Sequence, residues 1–460
     1  MTTQTAQPQK TEFRLFRSIH ILTGKTLYER PPQSQAEFQT ALSALRQRQR
    51  HFAAQPVTAR TALLSAFAQR LDAERGRLAR MVSEEVGRCL TECRAELDKS
   101  VELIRYYTRL APELLAHKTI ATQASLSQVR FEPLGVVLAV MPWNYPVWQV
   151  LRFAIPALCT GNACAVKPAP SVARVSNALF ELVGDVPLMP AWLEHADIPQ
   201  AIADTDALAF TGSADTGRIL AAEAGGRLKK TVLELGGSNA FIVLPDADLR
   251  QAAKDACYSR FRDAGQSCNA AKRIIVTEAV AEPFIRLFLD ECAKLQTGDP
   301  LDAQTTLASL HRADLRERVH AQVLDAAANG AQILCGGEIP AGQGWFYPAT
   351  VLDKVNPACR AYREEVFGPV AAILRARDAE HAVGLANDNS YGLGASIYSA
   401  DEAAAWRYAE KLHTGAVYIN RHTSSDLRLP FGGVKASGYG RELSEFGLYE
   451  FVNIKTYWQK

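Results

Sequence analysis

The spacing of hydrophobic residues changes near residue 120, and the change separates a helical part of the chain from a part that contains strands. After a loose arm and loop over residues 1–33, apolar residues recur every three or four positions through about 58–86 and 91–115, which predicts amphipathic helices. An earlier helix is predicted to begin at Ser34, because Ser34-Gln35-Ala36-Glu37 has the pattern of a capping box.

Beyond residue 120 the pattern is that of strands. Residues 120–133 alternate between apolar and polar and predict an extended strand. Short continuous apolar runs then alternate with helical segments, which is typical of a parallel sheet covered on both faces. These runs lie at 135–141, 163–167, 207–211, 231–235 and 240–244, and further ones near 274–276, 368–374 and 395–398. The aromatic-rich end, residues 446–458, predicts an extended terminal strand suited to pairing with another chain.

Length and composition narrow the class of protein. A chain of 460 residues is too long for one core, so two or more domains are expected. The net charge of +2 gives no reason to expect nucleic acid or an acidic membrane surface as a partner. The chain has no run of 18 apolar residues, and its polar N-terminus lacks the apolar core of a secretion signal, so neither a membrane span nor secretion is expected.

Cysteine usage points to a reducing compartment. The nine cysteines are an odd number, they form no Cys-x-x-Cys pair, and no histidine-rich cluster accompanies them. We therefore expect no disulfide framework, no metal site and a cytoplasmic location.

One cysteine, Cys268, lies among small residues in the segment Gly265-Gln266-Ser267-Cys268-Asn269-Ala270, and upstream of it Glu234 precedes a pair of glycines. A thiol and a carboxylate in such glycine-softened segments are the parts of a covalent-catalysis site. A thiol of ordinary pKa, about 8.5, is mostly protonated at neutral pH and needs a base or a dipole to react. The alternative for any single cysteine is a small buried hydrophobe.

Four consecutive apolar runs end in polar segments that are rich in glycine or proline. These segments are 142–146, 167–170, 212–217 and 235–237. Because ligands of open α/β sheets bind beyond the carboxyl ends of the strands, the succession predicts a nucleotide or cofactor crevice. The Gly-x-Gly-x-x-Gly fingerprint of a standard Rossmann phosphate turn does not occur.

Three polar residues at these strand ends each have two interpretations. Ser213, after Gly212, is either a plain helix N-cap or a diphosphate ligand. Lys167 is either a surface lysine or a cation for a ribose or phosphate group. Asn144 is either a turn residue or an amide donor to a developing alkoxide.

Taken together, seven segments in this order resemble the aldehyde dehydrogenases over about residues 20–458. The segments are Pro142-Trp143-Asn144-Tyr145-Pro146, Val166-Lys167-Pro168, Phe210-Thr211-Gly212-Ser213, Leu233-Glu234-Leu235-Gly236-Gly237, Gly265-Gln266-Ser267-Cys268, Glu364-Glu365-Val366-Phe367-Gly368-Pro369-Val370 and Pro430-Phe431-Gly432-Gly433-Val434-Lys435-Ala436-Ser437-Gly438.

The resemblance implies an α/β fold with a Rossmann-type cofactor domain, an α/β catalytic domain and a small β oligomerisation element. Residues 1–118 and 134–235 would form the NAD(P)-binding domain, and residues 236–430 the catalytic domain. Residues 119–133 and 440–460 would form the oligomerisation strands of a homodimer or homotetramer.

The resemblance also implies the catalytic roles. Cys268 resembles the thiolate that attacks the aldehyde, while Asn144 and the Cys268 backbone N–H resemble the oxyanion hole. Hydride loss to the cofactor then gives a thioester, and Glu234 resembles the base that activates water to hydrolyse it.

The implied cofactor is NAD or NADP. Its implied ligands are Trp143, Lys167, Gly212, Ser213, Glu365 and Phe367, of which Lys167 and Glu365 resemble the ribose-binding pair. Many NAD-preferring members carry a glutamate three residues after the lysine, where this chain has Pro170. Without that carboxylate, a 2′-phosphate is not repelled.

The implied substrate is a small acidic aldehyde. Three arginines, Arg152, Arg262 and Arg428, fall in segments that face the substrate channel in this family, and guanidinium groups pair well with carboxylates. Arg152 and Arg262 match the carboxylate-binding positions of succinate-semialdehyde dehydrogenases, whose bacterial branch this chain resembles, and Ser425 is expected to add a hydroxyl contact. The alternative is that these arginines form structural ion pairs.

Other functions stay open. The substrate could instead be a neutral or aromatic aldehyde. A CoA-acylating enzyme commonly lacks the base that Glu234 would supply here. A catalytically silent binding protein is expected to have lost Cys268, Glu234 or Asn144, and all three are present.

Overall fold

The computed structural model describes residues 15–460. In chain order, the elements up to residue 235 are β1 (Phe16–Ile19), β2 (Thr26–Arg30), α1 (Gln35–Ala53), α2 (Val57–Val86), α3 (Leu90–Leu114), β3 (Lys118–Thr119), β4 (Leu126–Pro133), β5 (Val136–Val140), α4 (Trp148–Cys159), β6 (Ala163–Lys167), α5 (Ala173–Glu181), β7 (Leu188–Pro190), α6 (Ile198–Asp204), β8 (Ala207–Thr211), α7 (Ala214–Gly225) and β9 (Lys230–Glu234).

The elements that follow are β10 (Asn239–Val243), α8 (Leu249–Phe261), β11 (Ala271–Thr277), α9 (Glu278–Cys292), α10 (Ala313–Ala328), β12 (Gln332–Cys335), β13 (Thr350–Asp353), α11 (Arg360–Arg363), β14 (Val370–Ala376), α12 (Ala379–Asn387), β15 (Tyr391–Gly392), β16 (Ala395–Tyr398), α13 (Glu402–Ala409), β17 (Val417–Ile419), β18 (Val434–Lys435), β19 (Gly438–Tyr439), α14 (Ser444–Leu448) and β20 (Val452–Gln459).

The first large sheet has the strand order β7-β6-β5-β8-β9-β19, and only β19, at one edge, runs antiparallel to its neighbour. Successive residues of a strand point to opposite faces. Accordingly, Val137 and Ala139 of β5 share a core cluster with side chains of α2, α3 and α4. Val136 and Leu138 instead face a core formed with α1, α6 and α7. Both faces are covered, as the continuous apolar runs predicted.

The second large sheet has seven strands in the order β12-β13-β14-β11-β10-β16-β17. All neighbours are parallel except β12, which pairs antiparallel with β13. Along β10, Phe241 and Val243 pack against α8 and α9, whereas Ala240 and Ile242 face the core that includes α10 and α12. The predicted α/β architecture is confirmed in this half as well.

A third, three-stranded sheet pairs β20 with β4 from Val452↔Pro133 to Gln459↔Leu126, and β4 with the short β3. Two details differ from the predicted strands. The segment 120–133 is not continuous, because residues 120–125 form a turn between β3 and β4. The extended terminal segment starts at Val452, since Ser444–Leu448 forms a helical turn packed on α4.

The N-terminal part also corrects one expectation. Residues 16–30 are not a loose arm but a β-hairpin of β1 and β2, and residues 1–14 lie outside the described residues. The hairpin is stabilised by a distant contact, in which the Phe16 ring meets Trp192 edge-on at 5.1 Å. The capping box is confirmed, because the Ser34 N–H donates to Glu37 and the Glu37 N–H donates to the Ser34 hydroxyl.

Over residues 15–460, no helix is long and apolar enough to cross a membrane. The same residues contain no group of three or more side chains placed to hold a metal ion.

Candidate active site

Two cavities meet at Cys268. The larger, about 520 Å³, opens at the carboxyl ends of β5, β6, β8 and β9, where the sequence predicted a cofactor crevice. The smaller, about 150 Å³, is bounded by α3, α4 and the segments before Cys268 and around Ser425. Cys268 and Gln149 line both cavities. A group bound in one cavity therefore meets a group bound in the other at the thiol.

A tight turn before Cys268 places this residue where the two cavities meet. After α8, Asp263, Ala264 and Gly265 all have left-handed backbone angles, with φ of 55°, 52° and 72°. A Cβ atom at Gly265 would lie 2.3 Å from the carbonyl oxygen of Gly368, so only glycine fits there. Asp263 is kept in place by an ion pair with Arg88, whose Nε lies 2.5 Å from the Asp263 carboxylate.

Lys272, which was not predicted from the sequence, holds the loop that carries Cys268. Its ammonium donates to the carbonyl oxygens of Ser267 and Cys268, at 2.9 and 2.8 Å, and lies 2.9 Å from the Glu365 carboxylate. The signal for it was a lysine in the buried strand β11, in which Arg273 is the other charged residue. A lysine buried in such a strand requires partners, and here the partners are the nucleophile loop and Glu365.

The thiol is protonated in its resting surroundings. Burial raises the pKa of the Cys268 thiol, and although Arg152 and Lys272 act in the opposite direction, the pKa stays above its ordinary value. A nearby base is therefore required to generate the thiolate at neutral pH.

Asn144 presents an amide beside this thiol. The side chain is buried, and its Nδ2 donates to the carbonyl oxygen of Gln266 at 3.0 Å. This bond uses one of the two amide hydrogens and aligns the group along the Cys268 loop. The second hydrogen can be donated to an oxygen bound at the junction.

Glu234 ends β9 and lines the larger cavity. Its side chain is 3% exposed, and neither carboxylate oxygen has a hydrogen-bond partner within residues 15–460. Burial, and then the neighbouring Glu442, raise the pKa of Glu234 well above its ordinary value. A buried carboxyl group without a hydrogen-bond partner holds a proton more readily than an exposed one, which is the direction of shift that a general base requires.

The larger cavity brings together the residues predicted to hold the cofactor. Trp143, Lys167, Gly212, Ser213, Glu365 and Phe367 all line it. The centres of the Trp143 and Phe367 rings are 5.9 Å apart, and the two ring planes are nearly perpendicular. The Gly212 N–H donates to the Glu234 carbonyl oxygen. The Ser213 hydroxyl donates to the Thr216 hydroxyl and accepts from the Thr216 N–H, which holds it at the start of α7.

These residues fit a dinucleotide. Lys167 is 2% exposed, and burial lowers the pKa of its ammonium to about 8. A buried cation gains most from an anionic or polyhydroxyl ligand. Ser213 N-caps the twelve-residue helix α7, and helix N-termini favour phosphate groups. The volume also lies within the range of natural cofactor sites.

Comparison with known proteins places this arrangement in a family. The chain matches the aldehyde dehydrogenase family over residues 8–457. It belongs to that family.

Individual relatives agree with this assignment. Succinate semialdehyde dehydrogenase (NAD(P)+) Sad of Escherichia coli K12 is 41% identical over 449 residues, which cover 96% of this chain and 97% of that protein. Succinate-semialdehyde dehydrogenase (NADP(+)) of Deinococcus radiodurans is 39% identical, covering 98% and 96%. A succinic semialdehyde dehydrogenase from Streptococcus pyogenes, solved with NADP+, superposes with a TM-score of 0.93 at 33% identity, covering 96% and 99%. The predicted family and fold are confirmed.

The smaller cavity of this aldehyde dehydrogenase contains the predicted substrate residues Arg152, Arg262 and Ser425. Arg152, on α4, is buried and forms an ion pair with Glu442. Arg262 donates to the Asn269 side chain at 3.4 Å and lies 3.8 Å from the Asp263 carboxylate. Both arginines thus already have partners.

Of Ser425 and Arg428, only Ser425 lines the small cavity. The Ser425 hydroxyl reaches the cavity but accepts a hydrogen bond from Lys99 at 2.5 Å. Arg428 does not line the cavity, because its side chain is 78% exposed and pairs with Asp426. Lys99 is a second residue that was not predicted from the sequence. It lies on the amphipathic helix α3, where nothing in the local pattern distinguishes it from a surface lysine.

Proposed function

We propose that this aldehyde dehydrogenase oxidises a small acidic aldehyde, succinate semialdehyde, to the carboxylate with NAD or NADP as hydride acceptor. The observation that supports it best is the position of Cys268 between a dinucleotide-sized cavity and a small cavity lined by Lys99, Arg152 and Arg262. The names of the relatives from Escherichia coli and Deinococcus radiodurans point to the same substrate.

The proposed reaction begins at Cys268. The sulfur attacks the carbonyl carbon of the aldehyde, a C–S bond forms, and the carbonyl electron pair moves to the oxygen. Asn144 Nδ2 and the Cys268 backbone N–H donate to that oxygen and stabilise its charge. The thiol proton leaves to solvent or, through a water molecule, to Glu234. This transfer is needed because the pKa of the thiol is raised.

Lys167 and the α7 N-terminus with Ser213 would hold the dinucleotide, and Trp143 and Phe367 would flank it. A bound nicotinamide would supply the hydride acceptor. The tetrahedral carbon would lose its hydrogen with the electron pair of the C–H bond, the C=O bond would re-form, and a thioester of Cys268 would result. Glu234 then accepts a proton from a water that attacks the thioester carbon. The C–S bond breaks, the acid leaves, and the proton held by Glu234 passes to the sulfur, which regenerates Cys268 as a thiol.

The substrate test is a panel of succinate semialdehyde, butanal and benzaldehyde, each with NAD and with NADP. We expect the highest kcat/KM for succinate semialdehyde, no activity in Cys268→Ser, and a larger KM increase for succinate semialdehyde than for butanal in Arg262→Ala. Preference for butanal or benzaldehyde would overturn the acidic substrate. Formation of acyl-CoA when CoA is added would replace hydrolysis by acyl transfer.

Use of both cofactors is part of the proposal. Pro170 replaces the glutamate that repels a 2′-phosphate and begins a short 3₁₀ turn at residues 170–172, beside Lys167 in the same cavity. We expect the kcat/KM values for NADP and NAD to differ less in the wild type than in Pro170→Glu. The added carboxylate should disfavour NADP in that variant. Unchanged NADP use in Pro170→Glu would contradict this role.

We also propose the domain division and assembly drawn from the sequence. Residues 1–118 and 134–235 form the cofactor domain and 236–430 the catalytic domain. Residues 119–133 and 440–460 carry subunit contacts in a homodimer or homotetramer, a proposal supported by the separate β20-β4-β3 sheet. The nine free thiols support a reducing cytoplasm as the compartment.

A further inference from the structure

The small cavity has four cationic side chains in its wall, Arg88, Lys99, Arg152 and Arg262, and each of the three arginines lies beside a carboxylate. Arg152 pairs with the buried Glu442 carboxylate. Arg262 lies beside Asp263, which Arg88 also contacts. The Arg152–Glu442 pair is buried, so Arg152 cannot turn to a new anion without leaving a carboxylate uncompensated. Asp263 keeps its closer partner Arg88, so Arg262 does not have this restriction.

Lys99 is the fourth cation, and its surroundings are different. Its ammonium donates to the Ser425 carbonyl oxygen at 2.9 Å and to the Ser425 hydroxyl at 2.5 Å. It also lies 4.5 Å from the centre of the Trp148 ring. Within residues 15–460, no carboxylate comes within ion-pair distance of this ammonium. Lys99 is therefore a half-buried cation that is hydrogen-bonded to neutral groups only.

The surroundings of Lys99 make this positive charge costly. Burial, and then Arg152 and Arg262, lower the pKa of Lys99 to about 8, while Asp426 opposes them without restoring the ordinary value. A carboxylate placed in the cavity would reverse the effect, because an anion nearby favours the charged form of a lysine. A partly buried cation without a carboxylate partner is typical of a site that binds an anionic ligand.

We infer that Lys99 is the residue that binds the carboxylate of the substrate, with Ser425 holding its ammonium at the cavity wall until the anion arrives. The lysine stem is flexible and its ammonium has three donors, so it can bind a carboxylate while keeping a bond to Ser425. Arg152, which is held by Glu442, then contributes its positive charge without a direct contact to the substrate. This inference rests on the proposed function, since it requires an acidic aldehyde.

The first test is Lys99→Met, which keeps the length of the side chain and removes its charge. A lost hydrogen bond between charged groups predicts that KM for succinate semialdehyde rises about ten- to hundredfold. The kcat at saturation and the KM for butanal should change less than threefold, since Cys268, Asn144 and Glu234 are untouched. Lys99→Arg should restore most of the affinity for the acid.

Lys254→Met is the matched control. Lys254 is an exposed lysine on α8 that lines neither cavity, so its loss should leave the constants for both aldehydes unchanged. A thermal unfolding curve of Lys99→Met that coincides with the wild-type curve would establish that the variant is folded. Calorimetric titration with succinate, the product, gives a readout that needs no turnover, and Lys99→Met should lose at least tenfold in affinity.

A pH series separates a binding role from a structural one. Although burial lowers the pKa of the Arg262 guanidinium, Tyr145 and Asp263 raise it above its ordinary value, so Arg262 stays cationic. Asp426 of the neighbouring loop stays anionic because Arg428 and the loop backbone hold its pKa well below the ordinary range. Two groups in the cavity wall titrate near pH 8, where Lys99 loses its positive charge and Glu92 gains a negative charge. We expect KM for succinate semialdehyde to rise above pH 8 in the wild type and to rise less in Lys99→Arg, in which only Glu92 titrates in this range.

The outcomes distinguish the two proposals. If the wild type does not prefer succinate semialdehyde, the proposed substrate fails. If the wild type prefers it but Lys99→Met changes KM for both aldehydes equally, or keeps its affinity for succinate, the assignment of Lys99 is overturned while the substrate stands.

Discussion

Two lysines near Cys268 show how much of this site is decided by single buried charges. Lys99 lies on the substrate side, without a carboxylate partner, whereas Lys272 lies beneath the nucleophile loop and pairs with Glu365. Neither belongs to the segments that resemble the family. Lys272 contacts Cys268 and Glu365, which do belong to them, whereas Lys99 contacts Ser425, which does not. Of the two lysines, Lys272 is the one whose charge acts on the Cys268 thiol.

The first prediction concerns the reactivity of Cys268. The positive charge of Lys272 lowers the pKa of a thiol that burial otherwise raises. In Lys272→Met the thiol pKa should therefore rise further, so that a smaller fraction is thiolate at any pH below it. Alkylation of Cys268 by iodoacetamide, followed between pH 6 and pH 10 (about the range over which thiols titrate), should shift to higher pH.

The same variant should also be less stable, because two buried carbonyl groups lose their donor at a cost of about 1–3 kcal/mol. Lys254→Met serves again as the control that loses a lysine elsewhere. An alkylation profile for Lys272→Met that superposes on the wild-type profile would show that Lys272 does not influence the thiol.

At the scale of elements, the buried Arg152–Glu442 ion pair joins α4 to the segment that follows β19. This segment also faces Glu234, since Glu442 is among the charges that raise its pKa. The sequence assigned Arg152 to the substrate because it matched a family position. The partner that occupies its guanidinium comes from almost three hundred residues further along the chain, and no local pattern indicates such a contact.

The second prediction is that this pair supports the fold. Arg152→Met leaves a buried carboxylate without a counter-charge, which should lower the free energy of unfolding by about 3–5 kcal/mol. The double variant Arg152→Met/Glu442→Leu removes both charges and should recover most of that loss. Thermal unfolding of the two variants measures the difference, and a double variant no more stable than the single one would contradict a structural ion pair.

Element boundaries were the part of the fold best predicted from sequence. The helices observed as α2 and α3 begin and end within one residue of the predicted ranges, and the Ser34 capping box starts α1 as expected. The β1–β2 hairpin was missed because its stability depends on Phe16 meeting Trp192, a contact across more than 170 residues. Local periodicity carries the first kind of information and not the second.

At the scale of the whole molecule, the β20-β4-β3 sheet stands apart from the two large sheets and leaves apolar groups uncovered. Ile454 and Trp458, both on β20, are 62% and 54% exposed. Large exposed apolar side chains grouped on one strand are typical of surfaces that pair with another chain. This agrees with the proposal that the sheet carries subunit contacts.

The third prediction follows from that surface. Ile454→Glu places a charge where a partner subunit would pack, so light scattering after size exclusion should give a smaller mass than for the wild type. Leu324→Glu, which changes a similarly exposed apolar residue on α10, should leave the mass unchanged. Equal masses for Ile454→Glu and the wild type would remove this sheet from the interface.

The sequence by itself determined the family and the α/β class. It also predicted the reacting residues, because Cys268, Glu234 and Asn144 each lie in a short segment that resembles the family without reference to distant contacts. Only the tertiary structure decided the charge balance around them. It paired Arg152 with Glu442, placed Arg428 in solvent and left Lys99 without a carboxylate. Electrostatic roles depend on which charges come within a few ångströms, and folding sets those distances between residues hundreds of positions apart.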